Sequence, residues 1–325
     1  MTKPRVGFLG TGWIGRHRME AMVATGAIAV AAVCDPSDDC LRDAAALAPD
    51  ARAVDTLDAM LALDLDGVVI ATPSALHAAQ SIAALQAGAA VFCQKPLGRD
   101  AAETQAVIDA ARAADRLLGV DLSYRHTAGM RQIAGLIRDG ALGDVFAVDL
   151  TFHNAYGPGK PWFFDPAQSG GGCVIDLGVH LVDLALWTLD FPAVAEVQAT
   201  LLRHGRPLQP GEVEDYATAR FRAGAADVRL ACSWNLHAGR DAVIEAAFYG
   251  TRGGAALRNV GGSFYDFTAE HFTGTQATPL AGPPDDWGAR SAAAWAQQLA
   301  AAPRFDPDAE QFARSAAVLD RIYRR

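Results

Sequence analysis

Through the first part of the chain, short unbroken apolar runs alternate with helix-period segments. Val6, Gly7, Phe8 and Leu9 form the first run, which breaks into Gly10, Gly12 and Gly15 and then into Arg16, His17 and Arg18. This reads as a buried strand turning directly into a helix. Further buried-strand runs follow at 29–34, 66–71, 89–94 and 117–122. Between them lie helical patterns: one starting near Ser37 with Asp38 and Asp39 in its first turn, one at 55–62, one running through Ala87 and closed by Gly88, and one at 100–114. Acidic residues at a helix start and glycine just past its end both suit helix termini. Strict strand and helix alternation predicts a mainly parallel sheet covered by helices.

From Ser123 onward the pattern changes. One helix is predicted at 128–138, ending at Gly140, and then strand-like alternation recurs at 144–152, 194–202, 215–222, 227–234, 243–249 and 263–267. Helices are expected at 289–302 and 306–324, and 274–286, rich in Gly, Pro and Thr, reads as a surface loop. Two domains follow, 1–122 and 123–325. The first is α/β, a Rossmann dinucleotide-binding domain, and the second is α+β with a large open, mostly antiparallel sheet. In 243–249 both strand faces hold apolar or small residues, Val243 and Ala247 on one, Ile244, Ala246 and Phe248 on the other, so a partner copy is expected to cover one of them.

Composition narrows the function classes. The 325 residues are 51% hydrophobic, enough for two cores. With 37 acidic and 28 basic residues the net charge is -9, and no basic cluster marks a nucleic-acid or membrane surface. Five scattered cysteines, none in CxxC spacing, fit reduced thiols in a cytoplasmic protein and no zinc site. No room for a signal peptide precedes the first strand, and no apolar run is expected to span a membrane.

The glycine run carries the first chemistry. Gly10 and Gly12 allow a tight turn and close ligand approach, Gly15 lets the helix pack on the strand, and the helix start presents N-H groups to a pyrophosphate. Asp35 follows Gly15 by twenty residues, at the end of the second strand, where a carboxylate meets the adenosine ribose. With Asp38 and Asp39 nearby it would repel a 2′-phosphate, which favours NAD over NADP. Lys95 ends another strand and is held extended by Pro96, at the sheet edge where ligands of such folds bind. His77, in the first turn of a helix, reads equally as a ligand contact or a helix-face histidine.

A triple glycine, Gly170, Gly171 and Gly172, opens an apolar helix in which Asp176, His180 and Asp183 fall within a stripe of about 60°. Buried carboxylates and imidazole need partners, so the stripe points to a site. A solvated face and a metal site remain alternatives, although no further histidine or cysteine is spaced to complete a metal set. Tyr156 and Lys160 have the Tyr-x-x-x-Lys spacing of short-chain dehydrogenases, but Gly157, Pro158 and Gly159 forbid the helix that chemistry requires.

Taken together, Gly10-Thr-Gly12-Trp13-Ile14-Gly15, Ala71-Thr72-Pro73 with His77, Gln94-Lys95-Pro96, Tyr124-Arg125 and the glycine run leading to Asp176 and His180 resemble the glucose-fructose oxidoreductase, inositol dehydrogenase and rhizopine-catabolism (Gfo/Idh/MocA) family over nearly the whole chain. The resemblance implies a catalytic trio of Lys95, Asp176 and His180. It implies cofactor contacts from Gly10, Gly12, Trp13, Ile14, Gly15, Asp35, Thr72, Pro73, His77, Gln94 and Lys95, with Arg125 and Trp162 near the nicotinamide. It also implies dimers or tetramers packed through the second sheet. Two departures stand out: Gln94 replaces the usual Glu, removing a negative charge beside Lys95, and Ser74 replaces a frequent Asn.

The expected function is that of an NAD-dependent dehydrogenase acting on a hydroxyl carbon of a sugar or cyclic polyol. Tyr124, His153, Tyr156, His237 and Arg240 are candidate substrate contacts; a plain surface role is the alternative for His153, His237 and Arg240, and Tyr156 lies in a loop expected near the site. The rival reading is a dinucleotide-binding sensor without turnover, and a less favoured one is reduction of an aromatic or tetrapyrrole substrate.

Overall fold

The computed structural model describes residues 2–325. The chain divides into two units: residues up to Asp121 with Ala289–Ala313, and Leu122–Gly288 with Arg314–Arg325.

In the first unit, β1 (Arg5–Leu9), β2 (Ala29–Cys34), β3 (Arg52–Ala53), β4 (Gly67–Ile70), β5 (Ala90–Cys93) and β6 (Leu118–Val120) form one sheet in the order β3-β2-β1-β4-β5-β6. Every pairing is parallel. The order reverses between β1 and β4, the switch point at whose carboxyl edge ligands of such sheets bind. The helices α1 (Trp13–Ala24), α2 (Asp38–Leu47), α3 (Leu57–Leu61), α4 (Ser74–Gln86) and α5 (Ala101–Ala114) alternate with the strands. Ser37, Thr56 and Asp100 cap α2, α3 and α5 through their side-chain oxygens.

This unit departs from the expected boundary at 122, because a late helix (Arg290–Ala301) belongs to it. Ala292, Trp295, Ala296 and Leu299 are buried in one core cluster with Val6, Phe8, Met19, Val69 and Phe92. The room is made by glycine. A Cβ on Gly67 would lie 2.9 Å from the Trp295 ring, and one on Gly119 2.6 Å from it. Across the sheet a second cluster packs Leu9, Val68, Ile70, Leu85, Val91, Val107 and Ile108.

The second unit begins with a single turn of 3-10 helix, Ser123–His126, and α6 (Ala128–Arg138). Its sheet consists of β7 (Val145–Asn154), β8 (Val194–Arg203), β9 (Arg206–Pro207), β10 (Tyr216–Ala223), β11 (Ala226–Ser233), β12 (Ala242–Gly250), β13 (Gly254–Asn259), β14 (Phe267–Thr273) and β15 (Gln276–Ala281). The order is β15-β14-β13-β12-β7-β11-β10-β8-β9, antiparallel except for β7 beside β11. The short α7 (Pro166–Ser169) leads to α8 (Val179–Thr188), which packs on β7 and β11, while α6 packs on β13, β14 and β15. The late helix of the first unit is α9, and the last helix, α10 (Glu310–Tyr323), passes from one unit's residues to the other's.

Four expectations need correction. The segment expected to be a loop at 274–286 contains β15, because Gly274, at φ +57, forms the tip of a hairpin that pairs Thr273 with Gln276. Residues 263–266 are a turn held by the Ser263 side chain, and the strand starts at Phe267. The face of the sheet not covered by helices is polar: Asp149 pairs with Arg229, Arg220 with Asp227 and Arg258 with Glu245, beside Thr151, Thr200 and Thr218. Of the two residues expected to share one face of β12, Ala247 is buried and Val243 is half-buried. The 23-residue helical stretch Pro166–Thr188 is long and apolar enough to cross a membrane by composition, contrary to the expectation of no such run, and it is the buried core of this unit.

Candidate functional site

In the first unit, β1 ends in a turn at Gly10, whose φ of +88 suits glycine. A Cβ on Gly15 would stand 2.1 Å from the Gly10 carbonyl oxygen, so α1 can close on the loop only because residue 15 has none. A Cβ on Gly12 would meet no protein atom within 4 Å, so that side of the loop is open. Gly12 is the N-cap of α1 and no side chain caps the helix, so its first N-H groups are available to an anion. The Asp35 carboxylate accepts the Thr11 N-H at 2.7 Å and the Ser37 N-H at 2.9 Å, fixing the end of β2 against the loop. The arrangement fits a dinucleotide pyrophosphate and ribose.

At the neighbouring strand ends, Lys95 follows β5 and its peptide bond to Pro96 is cis. Gln94 and His77 brace this segment. The Gln94 amide donates to Asp121 Oδ2 at 2.6 Å, and the His77 ring lies between the Pro96 carbonyl at 2.6 Å and the Thr72 carbonyl at 2.7 Å. Burial lowers the His77 pKa most, outweighing the two carbonyls that favour the charged ring, and Lys95 lowers it further. A neutral ring donates to one carbonyl at a time.

In the second unit the triple glycine meets Glu214. Its carboxylate, fully buried, accepts the Gly172 N-H at 3.1 Å, the Val174 N-H at 2.9 Å and the Tyr323 hydroxyl at 2.6 Å. A Cβ on Gly172 would stand 2.0 Å from the Glu214 carbonyl oxygen, so only glycine permits this approach. The turn then enters a π-helical segment, Val174–Gly178, which carries Asp176, and continues into α8, which carries His180. Asp176 accepts the Trp234 indole N-H at 3.0 Å, and Phe163 and Phe164 pack edge-on against that indole. His180 is buried, its ring 4.9 Å from the Tyr124 ring and 6.4 Å from Phe152. Tyr124 also packs on Trp287 and Phe267, and burial pushes its phenol pKa far up, keeping the hydroxyl neutral. A carboxylate and an imidazole on adjacent turns, in so aromatic a setting, form a pair suited to proton transfer.

The two units match two models of one family. Residues 4–122 match an oxidoreductase family with an NAD-binding Rossmann fold, and residues 130–256 match the GFO/IDH/MocA C-terminal domain. The chain belongs to the GFO/IDH/MocA oxidoreductase family. It is 29% identical over 272 residues to D-glucoside 3-dehydrogenase of Escherichia coli K12, an alignment covering 78% of this chain and 76% of that one. It is 35% identical over 220 residues to an inositol 2-dehydrogenase of Rhodococcus erythropolis PR4, covering 67% of this chain and 61%, less than two thirds, of that relative. Among solved structures, GenD2 of gentamicin A biosynthesis, in complex with NAD, superimposes with a TM-score of 0.83 at 25% identity, covering 100% of this chain and 94% of that one.

Within this GFO/IDH/MocA frame, the sequence-assigned residues have the following partners in the chain. His77 is buried with both ring nitrogens on backbone carbonyls, a brace between two turns. Arg125, assigned to the nicotinamide, gives its guanidinium to Asp183 (Nε to Oδ2, 2.6 Å) and lies over the Trp187 and Phe191 rings. Asp183, the third residue of the stripe, is thereby the partner of Arg125. His153 lies on the opposite sheet face from Phe152, and so from His180. It is hydrogen-bonded to Ser233 Oγ at 2.8 Å and stacked on Tyr216. Tyr156 is exposed and hydrogen-bonded to Asp241. Trp162 stacks on Phe163, 3.8 Å between ring centres. Thr72 joins Gln80 through its hydroxyl, and Trp13 is exposed and stacked on His17. Sequence reasoning passed over Glu214, Trp234's bond to Asp176, and Asp121. The available signals were acidic residues at the ends of otherwise apolar strands.

Proposed function

We propose that this chain is an NAD-dependent dehydrogenase acting on a hydroxyl carbon of a sugar or cyclic polyol. The observation that carries the reading is the pair of Asp176, held by Trp234, and His180 on consecutive turns of a buried helix. The relatives named above act on a glucoside and on inositol, which supports that substrate class. Gly10, Gly12, Gly15 and the start of α1 would hold the pyrophosphate, and Asp35 the adenosine ribose, where its charge disfavours a 2′-phosphate.

When bound, the nicotinamide dinucleotide supplies the hydride acceptor. His180 takes the proton from the substrate hydroxyl, Asp176 orients the substrate or the imidazole, and Lys95 contributes positive charge that favours the alkoxide. In the reverse direction His180 returns the proton. The polar open face of the second sheet is proposed as the self-association surface. A salt-dependent dimer or tetramer in sedimentation supports that assignment, and a monomer at micromolar concentration refutes it. Five free cysteines, four of them buried, favour a reducing, cytoplasmic location.

The test is NADH absorbance during incubation of the protein with NAD and a panel of inositols, aldoses and glucosides. Tight NADH binding with no turnover across the panel would replace the enzyme reading with that of a dinucleotide sensor.

A further inference from the structure

Gln94, immediately before Lys95, belongs to a buried polar cluster of the first unit. Gln94 is buried and donates to Asp121 Oδ2 at 2.6 Å. The same oxygen receives Arg18 Nε at 2.6 Å, and the other carboxylate oxygen receives the Ser291 hydroxyl. Arg18 and Asp121 are both buried, with side chains 7% and 1% exposed. Arg18 NH1 also lies 2.8 Å from His17 Nδ1. The backbone reinforces the juxtaposition: the Asp121 N-H donates to the Cys93 carbonyl, and the Gln94 N-H to the Ile70 carbonyl. One carboxylate therefore sits at the end of β6 and meets the residue immediately before Lys95.

We infer that Asp121 and Gln94 are positioning residues for Lys95, the buried carboxylate of Asp121 reaching the Lys95 segment through the Gln94 amide. The inference rests on the reading of Lys95 as a working group of the dehydrogenase. The physical argument is one of compatibility. A second carboxylate at position 94 would stand beside that of Asp121 in a buried site with one guanidinium, so one of the two would have to take a proton. An amide at both positions would leave Arg18 buried without its carboxylate. One acid and one amide satisfy every partner, and the two residues are interchangeable in kind but not duplicable. The His77 ring, bracing the Pro96 carbonyl, fixes the other side of Lys95.

The chain has only three lysines, Lys3, Lys95 and Lys160, so Lys95 can be followed directly. The experiment measures acetylation of the full-length protein by acetic anhydride at fixed pH, quantified on the Lys95 peptide with Lys3 and Lys160 as internal references. It is run on the wild type, Gln94→Glu, Asp121→Asn and the double variant, with melting temperature on each. Each single variant should change the relative Lys95 rate by roughly threefold or more, and the double variant should return it to within about twofold of wild type. Gln94→Met, which keeps the volume and leaves Arg18 paired with Asp121, provides a fourth variant in case the charged ones fail to fold. It too should shift the Lys95 rate. An unchanged rate in folded single variants, or in folded Gln94→Met, overturns the inference, as does a double variant displaced by the sum of the two single effects. The same outcomes hold whether or not any sugar is turned over, so failure of the dehydrogenase reading would be seen separately, in the NADH assay.

Discussion

The indole N-H of Trp234 donates to Asp176 Oδ2 at 3.0 Å, and this bond reaches the π-helical turn from a strand end 58 residues further along the chain. Trp234→Phe removes the donor while keeping a ring against Phe163 and Phe164. A hydrogen bond to a charged acceptor contributes about 1.5–3 kcal/mol, so turnover should fall by roughly ten- to a hundredfold. NADH affinity should stay within about twofold. Steady-state kinetics beside NADH fluorescence titration checks this, and normal turnover would show that Asp176 does not need the indole.

His180→Asn should lower turnover by about 10² to 10⁴, the range for a positioned acid-base group, with the dissociation constant for NADH little changed. Because His180 is packed between Tyr124 and Phe152, melting temperature is measured on the same preparation. Parallel losses of stability and cofactor binding, with turnover per bound cofactor unchanged, would make it a core histidine only.

The glycine loop separates two kinds of glycine. Gly15→Ala drives a methyl into the Gly10 carbonyl, so both fold and dinucleotide binding should suffer. Gly12→Ala meets only open space within the protein. Its melting temperature should stay near wild type while NADH affinity drops by about tenfold, ~1.4 kcal/mol. Unchanged affinity would mean that the pyrophosphate does not pass over Gly12.

The wild type should prefer NAD over NADP by roughly tenfold or more, and Asp35→Ser should narrow that preference. It should also lower stability, since the carboxylate holds the Thr11 and Ser37 N-H groups. Equal efficiency with both cofactors in the wild type would refute the assigned role.

Glu214 provides a pH test. Burial raises its pKa, outweighing the Tyr323 hydroxyl and the Gly172 and Val174 N-H groups that lower it. A carboxyl group whose folded pKa is raised contributes stability that is present below the ordinary carboxylate range and lost as pH rises through the raised value. Glu214→Gln does not titrate and still offers an oxygen to the two backbone donors. Urea unfolding over roughly pH 4 to 8 should show the stability of the variant gaining on the wild type as pH rises. A constant difference across that range would mean the burial effect is offset in the folded state.

The parallel sheet was legible because strands buried on both faces read as continuous apolar runs, as in Val68, Val69 and Ile70. Gly254–Asn259 and Gln276–Ala281 were not. The first is too rich in alanine to alternate, and the second is an edge strand with Pro279 inside it, tolerated there because an edge needs fewer ladder bonds. Asp176 and His180 could be placed on one helix by their spacing alone. The fate of Asp183 could not, since its partner Arg125 lies 58 positions earlier and the π-helical turn alters the 100° phase that put all three on one stripe. Polar partners that meet only through tertiary packing, such as Gln94 with Asp121, leave no periodic trace.

Trp295 fills the space that Gly67 and Gly119 leave over the first sheet. On the ribosome, therefore, the nucleotide-binding half emerges early but waits for its closing helix while the entire intervening unit is synthesised. At typical elongation rates that interval is roughly ten to forty seconds. During it, Phe92 and its neighbours lack the cover that Ala292, Trp295, Ala296 and Leu299 give them in the finished fold. Cutting the gene at the apparent domain boundary would make that transient state permanent.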